Sequence, residues 1–358
     1  MRTAGKTLGA TAVAVFLAAA GGLAWLQWAA PGANPVVVPL PPVAPPKPAP
    51  PPPSVPAPAP VRPPAPPASP PAAAAPPPES APPPSEPPSA SGAIVLVPAP
   101  DPELVEKSPD GPLPIVARDG RKPWIVYARP FDRSDKRPRI AIVISGLGLS
   151  KIATQDAIRD LPPNVTLSFL PYSGNAADWL AQARTVGHET LMDMPMEPLD
   201  YPRQDPGPRA LLTSLEPRQN LDRLHWMMSR GTGYIGLMTF MGSRFSATPD
   251  LLRPILVDIK ARGLAFVDSH SGGENGAIKM ATDLKEPRGV ADRILDAEAS
   301  RGAIEQHLTE LEDLARRGSS SIGVGSAYPV TIQTVAAWAA GLQARGFALA
   351  PVSAVLTP

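Results

Sequence analysis

The side chains that could do chemistry in this chain are carboxylates, hydroxyls and a few histidines, gathered where short apolar runs end. The run at 140–145 (IAIVIS) ends on Ser145 and Gly146, and the run at 190–194 leads through Asp193 to Glu197. The run at 234–239 leads into Phe240 and Arg244, and 264–268 ends on Asp268, Ser269 and His270. Further on stand Asp296, then Ser326 and Tyr328 after the run at 321–324. Asp193, Asp268 and Asp296 are the candidate catalytic set, because carboxylate oxygens suit a hard divalent cation. Asp268 and Asp296 could instead accept backbone N–H bonds or pair with Arg244. Glu197, between Pro195 and Pro198, could simply fix its loop. Ser145, Glu197, Phe240, Arg244, Ser269, His270, Ser326 and Tyr328 are the candidate lining of a substrate groove.

Other chemistries are excluded. Zero Cys removes thiolate catalysis, disulfides and Cys-ligated zinc. Asp268-Ser269-His270 is not a nucleophilic triad, because adjacent strand residues point to opposite faces. Gly146-x-Gly148 lacks the third glycine of a dinucleotide fingerprint, since Lys151 stands there. His225 and His307 fall on expected helices away from the strand ends. His188 closes a helix, where it can complement the dipole. Charge nearly cancels, 33 basic against 32 acidic residues, so nothing favours nucleic acid.

The apolar runs that carry these residues read as buried strands, joined by 165–170 (VTLSFL) and 347–352. Helical stripes alternate with them: Ala176, Trp179, Leu180 and Ala183; Leu221, Leu224 and Met228; Ile304, Leu308, Leu311 and Ala315. Thr248-Pro249 pairs a cap residue with Pro at a first helical position. Strand–helix alternation predicts an α/β fold with a parallel sheet, as a barrel or a doubly wound sheet, and a site at the carboxyl ends of its strands.

Ahead of this domain the composition changes. Of 53 Pro, 31 fall within residues 31–100. That stretch lacks the apolar side chains for a core and reads as a disordered spacer of polyproline character. Residues 7–30 carry no charge and follow Arg2 and Lys6. Their length suits a single membrane span with its N-terminus inside the cell. The run continues past Ala18-Ala19-Ala20 through Leu23 and Leu26, which favours an uncleaved anchor over a signal peptide. The expected organisation is an anchor at 1–30, a Pro/Ala-rich linker at 31–100, a lead-in at 101–138 that packs on the domain, and the domain itself at 139–358. The domain is then expected in the periplasm, tethered to a bacterial inner membrane.

Eight segments, in order, carry a resemblance: IAIVISGLG, LPPNVTLSFLP, MPMEP at 194–198, MGSRF at 241–245, FVDS at 266–269, ILD at 294–296, YPVTI at 328–332 and the final PVSAVL. On these the chain resembles the divergent polysaccharide deacetylase family. The resemblance implies an irregular (β/α) barrel and a metal-dependent carbohydrate deacetylase. Such an enzyme uses an Asp-Asp pair after the first strand, two His as further ligands, and a late His that assists the leaving group. The ion polarises the amide carbonyl and acidifies its bound water. Carried over residue by residue, the Asp-Asp pair falls on Ser145 and Gly146. The two ligand His fall on Asp193 and Phe240, and the late His falls on Ser326. No metal is therefore expected, and zinc would need a site rebuilt from the acidic residues. The leading expectation is an exported protein of envelope carbohydrate metabolism that binds polysaccharide, such as peptidoglycan, or a protein partner. An active deacetylase around Asp193, Asp268 and Asp296, and a purely structural envelope protein, are the alternatives.

Overall fold

The computed structural model describes residues 94–269 and 276–357. The expected anchor, most of the linker and His270 lie outside the described residues. Among the described residues no helix is long and apolar enough to cross a membrane.

The chain enters as an extended segment, 94–100, and then forms a short antiparallel hairpin, β1 (Val105–Ser108) with β2 (Gly111–Pro114). A single-turn helix, α1 (Pro123–Val126), follows. Strands and helices then alternate: β3 (Arg139–Leu147), α2 (Lys151–Asp160), β4 (Thr166–Phe169), α3 (Ala176–Val186), β5 (Thr190–Met196), α4 (Pro217–Met228), β6 (Gly236–Met241), α5 (Pro249–Ala261) and β7 (Ala265–Asp268). The last part is α6 (Gly276–Asp283), β8 (Arg288–Val290), β9 (Arg293–Ile294), α7 (Arg301–Gly318), β10 (Ser320–Ser326), α8 (Pro329–Ala340) and β11 (Ala348–Leu349).

The sheet is parallel throughout, in the order β8-β7-β6-β5-β4-β3-β10-β9, with β11 beside the start of β3. It curls strongly. The two edge strands, β8 and β9, are consecutive in sequence, and the two residues between them hydrogen-bond in opposite directions. Ala291 N–H donates to Asp268 O of β7, and Asp292 N–H donates to Ile322 O of β10. The curled α/β sheet with helices outside is the expected class. The run at 347–352 is shorter than expected, contributing only two strand residues.

β3 shows why the pattern reads as it does. Ile140, Ala141, Ile142, Val143 and Ile144 are all fully buried, because both faces of the strand are covered. Ile140, Ile142 and Ile144 pack toward the helices with Leu180, Leu308 and Leu311. Ala141 and Val143 face the inside of the curl, where Leu104, Ala117 and Tyr127 of the lead-in join them. Arg184 locks this arrangement: its guanidinium donates to the carbonyls of Tyr127, Gly233 and Val97.

Candidate functional site

All the strand-end candidates that are described sit at the carboxyl end of the sheet, but they fall into separate hydrogen-bonded groups.

The first group centres on Asp193 of β5, which is fully buried. Its Oδ1 accepts from Ser145 Oγ on β3 at 3.0 Å and from Ser168 Oγ on β4 at 2.5 Å. Its Oδ2 accepts from the Gly146 N–H at 2.8 Å. Burial pushes the Asp193 carboxyl up to about 6, against the opposing pull of these three donors. Gly146 has φ +78°, a conformation that favours glycine. A methyl group added there would lie 3.9 Å from Phe240 Cε2, so the Phe240 ring closes over this corner. The positions that resemble the family's ligands therefore do meet in space. What meets is one carboxylate, one hydroxyl, one backbone amide and a phenyl ring.

The second group is Asp268 at the end of β7. Thr239 Oγ1 donates to its Oδ1 at 3.1 Å, and the Ser269 N–H donates to Thr239 Oγ1 at 2.8 Å. The third is Asp296, after β9. It accepts from the Ser326 N–H and from Thr331 Oγ1, both at 2.7 Å, and from Ser326 Oγ at 3.3 Å. This clamps the end of β10 to the start of α8. Among the described residues, no three His, Asp or Glu side chains come together as metal ligands. The acidic site of Asp193, Asp268 and Asp296 is thus not assembled: each carboxylate is held within its own hydrogen-bonded group.

Arg244 joins neither Asp268 nor Asp296 through any bond among the described residues. It stands 3.5 Å from Glu197 and donates to Leu199 O. Glu197 accepts from both the N–H and the hydroxyl of Thr213. Its own carbonyl accepts from Arg244 N–H and Phe245 N–H, and Ser243 Oγ accepts from Leu199 N–H. The MPMEP and MGSRF segments therefore bolt together the loops after β5 and β6. Their joint presence in the sequence is explained by this clasp. Met241 has φ 59°, unusual for a residue with a side chain, and sits where β6 turns into the clasp. Tyr328 is half exposed, directly before α8.

The histidines are accounted for separately. His188 is fully buried, its ring nitrogens 2.9 Å from Val165 O and 3.1 Å from Ile158 O. Burial pushes it below the usual imidazole range, so it is not the exposed helix-end cation its position suggests. His225 lies on α4 beside Asp258, and His307 on α7 faces Leu295 O.

Sequence reading missed the hydroxyl partners Ser168, Thr239 and Thr331. Their signal was available. Ser168 and Thr239 interrupt apolar strand runs, and a polar residue inside a buried strand must find a partner. Glu189, one residue before β5, was also missed. It is fully buried and accepts from Ser353 Oγ at 2.5 Å, Ser353 N–H, Arg129 N–H and Thr166 Oγ1.

Comparison with known proteins agrees with this architecture. The divergent polysaccharide deacetylase family matches residues 142–356. A crystal structure of an uncharacterized protein from Agrobacterium tumefaciens is similar, with 41% identity and a TM-score of 0.67 over 68% of this chain and 99% of that one. The uncharacterized protein YibQ of Escherichia coli is 24% identical over 55% of this chain. That match spans 61% of YibQ, less than two thirds of its length. An uncharacterized protein of Haemophilus influenzae is 26% identical over 62% of this chain and 79% of its own length.

Proposed function

Because the chain belongs to the divergent polysaccharide deacetylase family, we propose that its domain binds a glycan chain at the carboxyl end of the sheet without hydrolysing it by the family's metal-assisted route. The carrying observation is the Asp193 corner. A divalent ion needs several free oxygen or nitrogen donors. Here the single carboxylate already holds three hydrogen bonds, and Gly146 and Phe240 offer no ligand side chain. These donors do not fit the metal that the family resemblance implies. Tyr328, half exposed at the carboxyl end of the sheet, supplies an aromatic face for a sugar ring. The bonds at Asp268 and Asp296 hold the neighbouring strand ends together.

The same reading makes the protein an exported one. Residues 7–30 anchor it in the inner membrane, and the Pro-rich stretch holds the domain in the periplasm within reach of envelope polysaccharide. Membrane fractionation with protease accessibility tests that part.

The function is tested by two titrations of the purified protein, one with zinc and one with soluble peptidoglycan or chitin fragments. The expected result is millimolar or tighter glycan binding and no stoichiometric zinc. Tight zinc binding at one equivalent overturns the non-hydrolytic reading. Absence of glycan binding at millimolar concentration overturns the binding reading.

A further inference from the structure

A separate cavity of about 420 Å³ opens beside the loop that follows β4. Its walls include Tyr172 and Asn175 of that loop, Asp178 in the first turn of α3, and Trp226 and Arg230 at and just past the end of α4. Its volume is within the range of small-molecule sites. It shares no lining residue with the Asp193 corner.

Three features make it a built site. The Tyr172 and Trp226 rings lie 5.9 Å apart at an angle of 35°, forming a bent aromatic wall. Tyr172 is seated by close approach: a Cβ at Gly207, whose φ is +111°, would come within 2.4 Å of Tyr172 Cε2. Its hydroxyl is buried beside the Arg209 backbone. The guanidinium of Arg230 stands 5.0 Å from the Trp226 ring and that of Arg209 stands 5.4 Å from it. Arg230 uses Nε and Nη2 on Trp226 O, Asp110 O and Ser229 Oγ, which fixes it in place and leaves Nη1 free of any bond among the described residues. Asn175 makes no side-chain cap bond to α3, and its side chain accepts from Ser173 Oγ.

We infer that this cavity is a flanking subsite for one acidic sugar unit of a glycan chain. The C–H face of the pyranose packs on the Tyr172–Trp226 wall. Its hydroxyls meet Asn175 and Asp178, and its carboxylate pairs with Arg230 Nη1. The anionic preference rests on Arg230 Nη1, a lining guanidinium nitrogen with no bond among the described residues, which can pair with a carboxylate but gains little from a neutral hydroxyl. The inference rests on the glycan-binding reading above.

Calorimetric titration of the full chain in detergent micelles tests it, with the disaccharide of N-acetylglucosamine and N-acetylmuramic acid set against neutral chitobiose. The acidic disaccharide should bind at least tenfold more tightly. Trp226→Ala should weaken both ligands at least tenfold. Arg230→Gln should erase the preference, weakening the acidic disaccharide at least tenfold more than it weakens chitobiose. Equal affinities in the unaltered protein overturn the inference. So does acidic-disaccharide binding that survives Trp226→Ala and Arg230→Gln but is lost in Tyr328→Ala, which would leave the binding reading standing. Failure of both sugars to bind overturns both.

Discussion

Replacing Asp193 with asparagine tests whether the carboxylate at the centre of the site is a sealed structural group. The folded-state value is about 6 against an ordinary 3.8, and the first cause is burial. The group is thus a stronger proton binder in the folded protein than in the unfolded chain. Its favourable contribution is fully present below pH 3.8 and is lost as pH rises toward about 6. Two pKa units correspond to about 3 kcal/mol. The substituted amide does not titrate, so the stability of Asp193→Asn relative to the unaltered protein should rise by about 2 kcal/mol between pH 4 and pH 7. The isosteric amide costs little in hydrogen bonding. Its oxygen accepts from the Gly146 N–H, and its NH₂ donates to the Ser145 and Ser168 hydroxyls, which can accept as well as donate. That mismatch is pH-independent, on the order of 1 kcal/mol. Urea denaturation of both proteins at half-unit pH steps reads the difference directly. A difference that stays flat across this window would refute the reasoning, because it would mean that Asp193 keeps an ordinary pKa and reaches water.

Other expectations follow from the same geometry. Gly146→Ala should destabilise the protein by about 1–2 kcal/mol, through backbone strain at φ +78° and not through a clash, since Phe240 Cε2 lies at an ordinary 3.9 Å; thermal melting checks it. Ser353→Ala removes a hydroxyl from the buried Glu189 carboxylate and should cost about 2 kcal/mol in urea denaturation. Combining Ser145→Asp, Gly146→Asp, Asp193→His and Phe240→His should create zinc affinity, read by calorimetry, that the unaltered protein lacks. Equal zinc binding by both proteins would show that the four positions are not where the metal chemistry was lost. Arg244→Ala, which breaks the clasp to Glu197 and Leu199 O, should loosen the loops after β5 and β6, visible as faster amide exchange there with little change in global stability.

The residue pattern by itself determined the class of fold and put the candidate residues at the carboxyl ends of the strands. Periodicity is local: an apolar run such as IAIVIS suits a strand covered on both faces, and β3 is that strand. The motif order determined the family, and the residues standing at its ligand positions were visible without coordinates. Partner choice is not local, and only the tertiary structure decided it. Asp193 looked like a possible ligand until Ser168, 25 residues away, and Gly146, 47 residues away, were found on its oxygens. The sequence offered Arg244 a choice of Asp268 or Asp296, and the clasp between two loops gave it Glu197 instead. Tyr172 stands in the loop after β4 and Trp226 near the end of α4, and only the fold makes them one wall. A buried polar group must be satisfied by whatever the fold brings within about 3 Å, and that proximity is set by the curl of the sheet, which no local pattern encodes.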